Sequence, residues 1–128
     1  MKLTIFAAAA ALGLAAAAAH ADVNLVDNNQ KVTVDCAKDK TVNISGNNAA
    51  VTLTGTCDAV NISGNKATVK GSAKMAMVSG NDNALTLDAT DHIMVSGNKN
   101  AVTYKKAASV KTPMVMNSGT DNKISQTK

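Results

Sequence analysis

The triplet Ser-Gly-Asn recurs along this chain at nearly equal intervals, and this repeat restricts the possible folds more than any other feature. Four copies are separated by 18, 16 and 17 residues, and a degenerate copy, Ser118-Gly119-Thr120, follows after 22 more. A repeat of nearly constant period predicts a protein built from equivalent units that stack on one another. The four complete copies are Ser45-Gly46-Asn47, Ser63-Gly64-Asn65, Ser79-Gly80-Asn81 and Ser96-Gly97-Asn98.

Each repeat carries two short runs in which apolar residues occupy every second position, one before the triplet and one after it. Such alternation, bounded by Gly, Asn and Asp, predicts half-buried β-strands, and the many β-branched residues agree with this assignment. The runs before the triplet are Val42-x-Ile44, Val60-x-Ile62, Ala76-x-Val78 and Ile93-x-Val95. The runs after it are Val51-x-Leu53, Ala67-x-Val69, Leu85-x-Leu87 and Val102-x-Tyr104.

Two architectures fit short strands at this spacing. One is a single-domain β-solenoid of five to six coils with 16–18 residues each, and the other is an antiparallel β-sandwich with one hairpin per repeat. We favour the solenoid, because a sandwich has no reason to keep its periods nearly equal. Equivalent residues of a solenoid lie about 4.8 Å apart along its axis. The predicted buried columns are Ile44, Ile62, Val78 and Val95, and Val51, Leu85 and Val102.

The Ser-Gly-Asn triplets are interpreted as the corners of the coils. Glycine passes through sharp turns, often with positive φ, without a clash of a Cβ atom. Asparagine tolerates such turns, and stacked Asn side chains can bond to one another in a ladder. The predicted structural corner residues are Gly46, Asn47, Gly64, Asn65, Gly80, Asn81, Gly97 and Asn98.

Residues 1–21 have the pattern of a secretory signal peptide. Lys2 precedes an uncharged apolar run, and Ala19-His20-Ala21 is a small-x-small cleavage site. A membrane anchor is the alternative, but the run is short for a span and consists mostly of Ala. The sequence therefore predicts a periplasmic or secreted protein whose β-solenoid domain covers residues 22–128, without a membrane span in the mature chain. The segment after residue 113 departs from the repeat pattern.

The composition of residues 22–128 argues against a nucleic-acid partner. Without Lys2, 12 of the 13 Lys remain against 9 Asp, which gives a net charge of +3. There is no Arg, Glu or Trp, and Tyr104 and His92 are the one aromatic residue and the one histidine of this part. Nucleic-acid binders favour Arg forks for base edges and aromatic side chains for stacking, and this chain has neither.

No catalytic, metal-binding or cofactor-binding residues are predicted, and the chain is not expected to be an enzyme. His92 has no Ser or Cys nucleophile at a matching offset, and most Asp residues fall at corners, where Asp favours turns. Sugar-cleaving enzymes need two carboxylates that face each other across a substrate. Polysaccharide lyases on β-solenoids generally use Arg or Lys beside a calcium site, but Arg and the Gly-Gly-x-Gly-x-Asp calcium repeat are absent.

The chain resembles the bacterial "domain of unknown function 3060" proteins over roughly residues 31–104. The resemblance rests on VTVDC at 32–36, VNISGN at 42–47 and 60–65, VTLTGTC at 51–57, and VSGN at 78–81 and 95–98. It implies an exported β-repeat module, with no catalytic residues to carry over and no known activity.

Cys36 and Cys57 are the two cysteines of the chain, and we expect them to form a disulfide. An even number of cysteines in an exported chain favours a bridge. Both lie shortly after a predicted strand, at matching corners of successive coils. A bridge over a loop of roughly 20 residues stabilises the fold by about 3 kcal/mol in the chain-entropy model. A redox or zinc site is the alternative, but the spacing is not Cys-x-x-Cys and one His cannot complete a zinc site.

The outward positions of the predicted strands provide the candidate binding face. Thr52, Thr54, Thr86 and Thr103 follow the corners, and Met77 and Met94 precede them at the position that Asn43 and Asn61 hold in earlier coils. An exposed row of Met can act as a soft binding surface. Alternatively, a bulge turns the Met side chains inward, a C-terminal segment covers them, or Thr simply favours exposed strand positions.

These features favour an exported, non-enzymatic β-repeat module with a structural or adhesive role in the cell envelope. The hypothesised partner is an envelope glycan or protein. The alternative is recognition of an ordered lattice, such as ice or a crystalline polysaccharide, by the outward Thr residues. A carbohydrate-active enzyme is the least favoured of the three.

Overall fold

The structure, a computed structural model, describes residues 22–37 and 41–128, and the signal-peptide prediction for residues 1–21 lies outside this part. The described residues form ten β-strands and no helix. No segment among them is a helix that could span a membrane. The strands are β1 Val23–Leu25, β2 Lys31–Asp35, β3 Thr41–Ile44, β4 Ala50–Ile62, β5 Thr68–Val78, β6 Ala84–Ala89, β7 His92–Val95, β8 Ala101–Lys106, β9 Met114–Asn117 and β10 Lys123–Gln126.

Every pairing between strands of the described residues is parallel, and the strands form two stacked series. The first face contains the strands that precede the corners: β1, β3, the second halves of β4 and β5, β7 and β9. The second face contains β2, the first halves of β4 and β5, β6, β8 and β10. The chain therefore winds as a β-solenoid of about six turns, which confirms the predicted fold and excludes the antiparallel sandwich.

The core consists of columns in which equivalent aliphatic side chains of successive coils lie on one another. On the first face Ile44 pairs with Ile62, Ile62 with Val78, and Val78 with Val95, as the repeat predicts. On the second face the corresponding column is Val51, Val69, Leu85 and Val102. All of these side chains are buried. Burial of each of these side chains stabilises the folded state by about 1.5–3 kcal/mol. A narrow core without aromatic residues is therefore sufficient to stabilise the fold.

The corner glycines do not have the positive φ that the sequence suggested. The left-handed residue of each corner instead lies two positions later, at φ between 55° and 57°, in Asn48, Lys66, Asp82, Lys99 and Asp121. The glycines are required because successive coils approach closely there. A Cβ atom on any of Gly46, Gly64, Gly80, Gly97 or Gly119 would lie less than 3.0 Å from the backbone carbonyl oxygen of the preceding coil's corner.

The corner asparagines form a ladder along the solenoid. The backbone N–H of Asn47, Asn65, Asn81 and Asn98 donates to the side-chain oxygen of the equivalent Asn in the preceding coil, at 2.8–3.1 Å. The first acceptor of this ladder is Asn28, so the first coil, which has no Ser-Gly-Asn triplet, belongs to the same series.

A second, buried ladder was not predicted from the sequence. Asn83 and Asn100 are buried, although Ala49 and Ala67 hold the same repeat position in earlier coils. The side-chain amide of Asn83 donates to the carbonyl oxygen of Gly64, and that of Asn100 donates to Gly80, at 3.0 and 2.9 Å. The backbone N–H of Asn83 donates to the side chain of Asn100 at 3.0 Å, so these buried polar groups satisfy one another.

The disulfide between Cys36 and Cys57 is present, as predicted. The Cα atoms are 4.8 Å apart, which matches the spacing of neighbouring coils. The bridge joins the chain directly after β2 to the middle of β4, and thus ties two coils near the N-terminal end.

The segment between β8 and β9 contains the additional residues of the longest repeat, and Asp91 fixes its path. One carboxylate oxygen of Asp91 accepts from the backbone N–H groups of Ala108, Ser109 and Val110, at 2.7–3.1 Å, and the other accepts from the Ser109 hydroxyl. These hydrogen bonds lower the pKa of Asp91 from 3.8 to about 2. The bond from the Ser109 hydroxyl has the largest effect. The segment can therefore depart from the regular course of the coil, and β9 still pairs with β7.

Candidate functional site

A groove with a volume of about 350 Å³ runs along the first face, and we call it the axial groove. Strand alternation creates it, because residues two apart on one strand point to the same side of the sheet. One wall is a column of amide and thioether side chains, and the other is the column of corner serines. The lining side chains are Asn43, Asn61, Met77, Met94 and Met116 in the first column, and Ser45, Ser63, Ser79, Ser96 and Ser118 in the second.

The axial groove follows the axis rather than crossing it. Its columns occupy five successive coils, so the four intervals between them give a length of about 19 Å. Each coil contributes one side chain to each wall, so the side chains of both walls recur at the spacing of the coils. A ligand that lies in the axial groove would meet a serine hydroxyl about every 4.8 Å.

The first wall changes from amide to thioether in the middle of the solenoid. The amide of Asn43 donates to Asn24 at 2.9 Å, and that of Asn61 donates to Asn43 at 2.8 Å. The next position of this column is Met77, whose thioether has no hydrogen to donate. The buried Oδ1 atom of Asn61 consequently has no hydrogen-bond partner among the described residues.

Met77 and Met94 point outward, with 40% and 37% of their surface exposed. The alternative that a bulge turns them inward is wrong, since both keep the register of their strands. The C-terminal segment does not cover them either. It supplies β9, in which Met116 pairs with Met94 and extends the same column.

The Thr residues of the candidate binding face lie on the second face, apart from the Met residues. Thr52, Thr86 and Thr103 share one outward column, which Lys70 interrupts. Thr54 lies two residues farther along its strand, and its hydroxyl donates to the carbonyl oxygen of Val34 at 3.3 Å. The two sets of candidate residues therefore form separate surfaces and not one site.

His92 lies on the outward side of β7, two residues before Met94, and it pairs with Met75 on one side and with Met114 on the other. In the part of the chain that the structure describes, no group of three or more His, Cys, Asp or Glu side chains could hold a metal ion. Two exposed Asp side chains form ion pairs between coils: Asp58 with Lys74 at 3.7 Å and Asp88 with Lys105 at 2.7 Å.

The parallel two-face winding and the axial groove define a small repeat protein of the β-solenoid class. Two overlapping segments, residues 44–73 and 64–121, match the family described as "Protein of unknown function (DUF3060)". Together they extend over more than half of the 128 residues, and the chain belongs to this family. Neither a comparison with curated proteins nor one with solved structures found a match.

Proposed function

We propose that the protein is an exported, non-enzymatic binding module of the cell envelope and that the axial groove binds an extended glycan chain. The observation that supports this proposal is the repetition of the groove walls at every coil. A linear polymer with regularly placed hydroxyl groups can make equivalent contacts with several coils at once.

The chemistry of the walls suits a sugar polymer. Serine hydroxyls both donate and accept hydrogen bonds, so each can pair with a hydroxyl group of the ligand. The Met side chains supply an adaptable apolar wall for the C–H faces of sugar rings. Many weak contacts along one polymer add up to useful affinity without any deep pocket.

Export is supported by two features that are independent of each other. Residues 1–21 have the pattern of a signal peptide. The Cys36–Cys57 disulfide is of the kind that persists in oxidising compartments.

Affinity electrophoresis in gels that contain purified envelope polysaccharides, or uncrosslinked glycan strands of the cell wall, tests the proposal. A Ser79→Trp variant fills the middle of the axial groove, and we expect it to lose at least about tenfold in affinity. The matched control is Thr86→Trp, which places the same side chain at an exposed position of the second face. Equal retardation of both variants, or release of reducing ends from the bound glycan, would contradict the proposal.

Lattice recognition by the second face is the other candidate, and the column of Thr52, Thr86 and Thr103 favours it. Hydroxyls at a constant spacing can match a periodic surface such as ice. Lys70 interrupts the column, so we expect Lys70→Thr to increase thermal hysteresis if this function applies. Absence of thermal hysteresis in both proteins at high concentration would remove the ice version.

A further inference from the structure

Every methionine and histidine from residue 22 onward lies in one block on the outer side of three neighbouring strands of the first face, β5, β7 and β9. The block has two columns: Met75, His92 and Met114 form one, and Met77, Met94 and Met116 form the other. We call these six residues the Met/His block. In the coils before it, the two columns are occupied by Thr41 and Ala59, and by Asn24, Asn43 and Asn61. The concentration of thioethers is therefore local to the second half of the solenoid.

Packing does not account for these methionines. The core of this protein is made of Val, Ile, Leu and Ala, and the Met residues are at outward positions of their strands. Met94, Met114 and Met116 are 37%, 56% and 52% exposed. Exposed Met side chains gain little from burial and are open to oxidation to the sulfoxide.

We propose that the Met/His block is a binding site for a soft monovalent metal ion, Cu(I), and for its chemical analogue Ag(I). Thioether sulfur is a soft ligand that favours Cu(I), and imidazole nitrogen also binds copper. The two cysteines are joined in the disulfide, so no thiolate competes for such an ion. The cysteine spacing that argues against zinc has no bearing on thioether ligands.

The strand geometry allows three of these side chains to reach one ion. Register partners on neighbouring strands are about 4.8 Å apart, and residues two apart on one strand are about 6.7 Å apart. Two sulfur atoms bound to one ion at about 2.3 Å lie about 4 Å from each other. The unbranched Met side chain has three rotatable bonds and can close this small difference.

The central strand, β7, is the necessary part of the block. β5 and β9 each pair with β7 and are separated from each other by two strand spacings, or about 9.6 Å. An ion with three ligands from neighbouring positions must therefore use His92 or Met94. The adjacent carboxylate, Asp91, is directed to the backbone of residues 108–110 instead, so it does not serve as a ligand of the block.

The experiment uses the secreted, disulfide-bonded protein with ¹³C-labelled Met methyl groups and with no glycan present. We expect one equivalent of Ag(I) to shift at least two of the five Met methyl NMR signals. We also expect the protein to withdraw Cu(I) from the chromophoric chelator bicinchoninate in excess ascorbate. Zn(II) under the same conditions should shift none of the Met signals.

The decisive variant is His92→Gln/Met94→Leu, which keeps side chains of similar size at both central positions. We expect it to lose at least about tenfold in Cu(I) affinity, the scale of change seen when a metal site is disturbed. The matched control is Thr86→Leu on the second face, which should bind as the parent protein does. Circular dichroism shows whether the variants are folded, and the mass of the intact protein shows whether the disulfide has formed.

Three outcomes would overturn the proposal: unshifted Met signals with Ag(I), unchanged Cu(I) affinity in the double variant, or binding that disappears once free thiols are alkylated. The methyl signals of the parent protein test the site even if the double variant does not fold. Because the assay contains no glycan, failure of the proposed glycan function leaves this result unaffected.

Discussion

The columns of the core make a quantitative prediction about two valines that have the same repeat position. Val60 and Val115 both belong to the inward column of the first face that also contains Val42, Ala76 and Ile93. Val60 has a coil on either side and is fully buried, whereas Val115 lies in the last coil and is 40% exposed. Replacing each by Ala removes the same two carbon atoms from different surroundings.

For Val60→Ala the loss of transfer free energy is about 1.6 kcal/mol, at about 0.8 kcal/mol for each CH₂-sized group. The neighbouring coils hold their backbones in place, so we expect a cavity of about 30 Å³, which adds about 0.7 kcal/mol. The total is about 2.3 kcal/mol. For Val115→Ala only the buried part of the surface counts and no closed cavity forms, so the cost is about 1 kcal/mol or less.

Urea unfolding of the two variants, with the disulfide intact, measures this difference. We expect equal m-values and a lower midpoint for Val60→Ala, by about 0.5–1 M relative to Val115→Ala. The parent protein serves as the reference for both. Equal destabilisation by the two substitutions, or a larger effect of Val115→Ala, would refute the idea that burial between stacked coils stabilises this fold.

Three further predictions concern the corner, the disulfide and the segment before β9. Gly80→Ala should cost at least about 2 kcal/mol in urea unfolding, because its Cβ atom would meet the carbonyl group of the preceding corner. Cys36→Ser/Cys57→Ser should cost about 3 kcal/mol by the same measurement, and an unchanged stability would show that the bridge constrains little. Asp91→Asn should lower the melting temperature at pH 7. Since folding lowers the pKa of Asp91 to about 2, its stabilisation is fully present above about pH 4 and is lost as the pH falls through 2. The melting temperatures of variant and parent should therefore converge in acid, and a constant difference would contradict this assignment.

The first face changes its chemistry along the axis, and the Met/His block shares Met77, Met94 and Met116 with the axial groove. Asn43 and Asn61 continue a ladder of amides that hydrogen-bond between coils. From Met77 onward the same column consists of thioethers, which do not bond to one another. The amide hydrogen bonds of this column are therefore absent from the coils that carry the Met/His block. This absence is consistent with a binding role for those coils.

Much of the architecture follows from the sequence, because strand alternation and repeat register are local properties. The alternation in Val60-x-Ile62 assigns these side chains to the core, and the constant period places Ile62 against the equivalent residues of the next coils. The same register places Met77 and Met94 in one outward column. Each of these results requires only counting residues from a corner.

Only the tertiary structure decides which groups meet where the period is broken or where coils approach most closely. Met114 and Met116 stand four and two residues before Ser118, as His92 and Met94 stand before Ser96, but the 22-residue interval does not show how the longer connection returns to this register. Their position depends on the bonds that Asp91 makes to residues 17–19 positions later in the chain. Likewise, glycine is required at position 64 because the chain lies close to Gly46 of the preceding coil. A positive φ angle is not the reason. Such contacts depend on the distance between separate coils, which a linear pattern of residues does not contain.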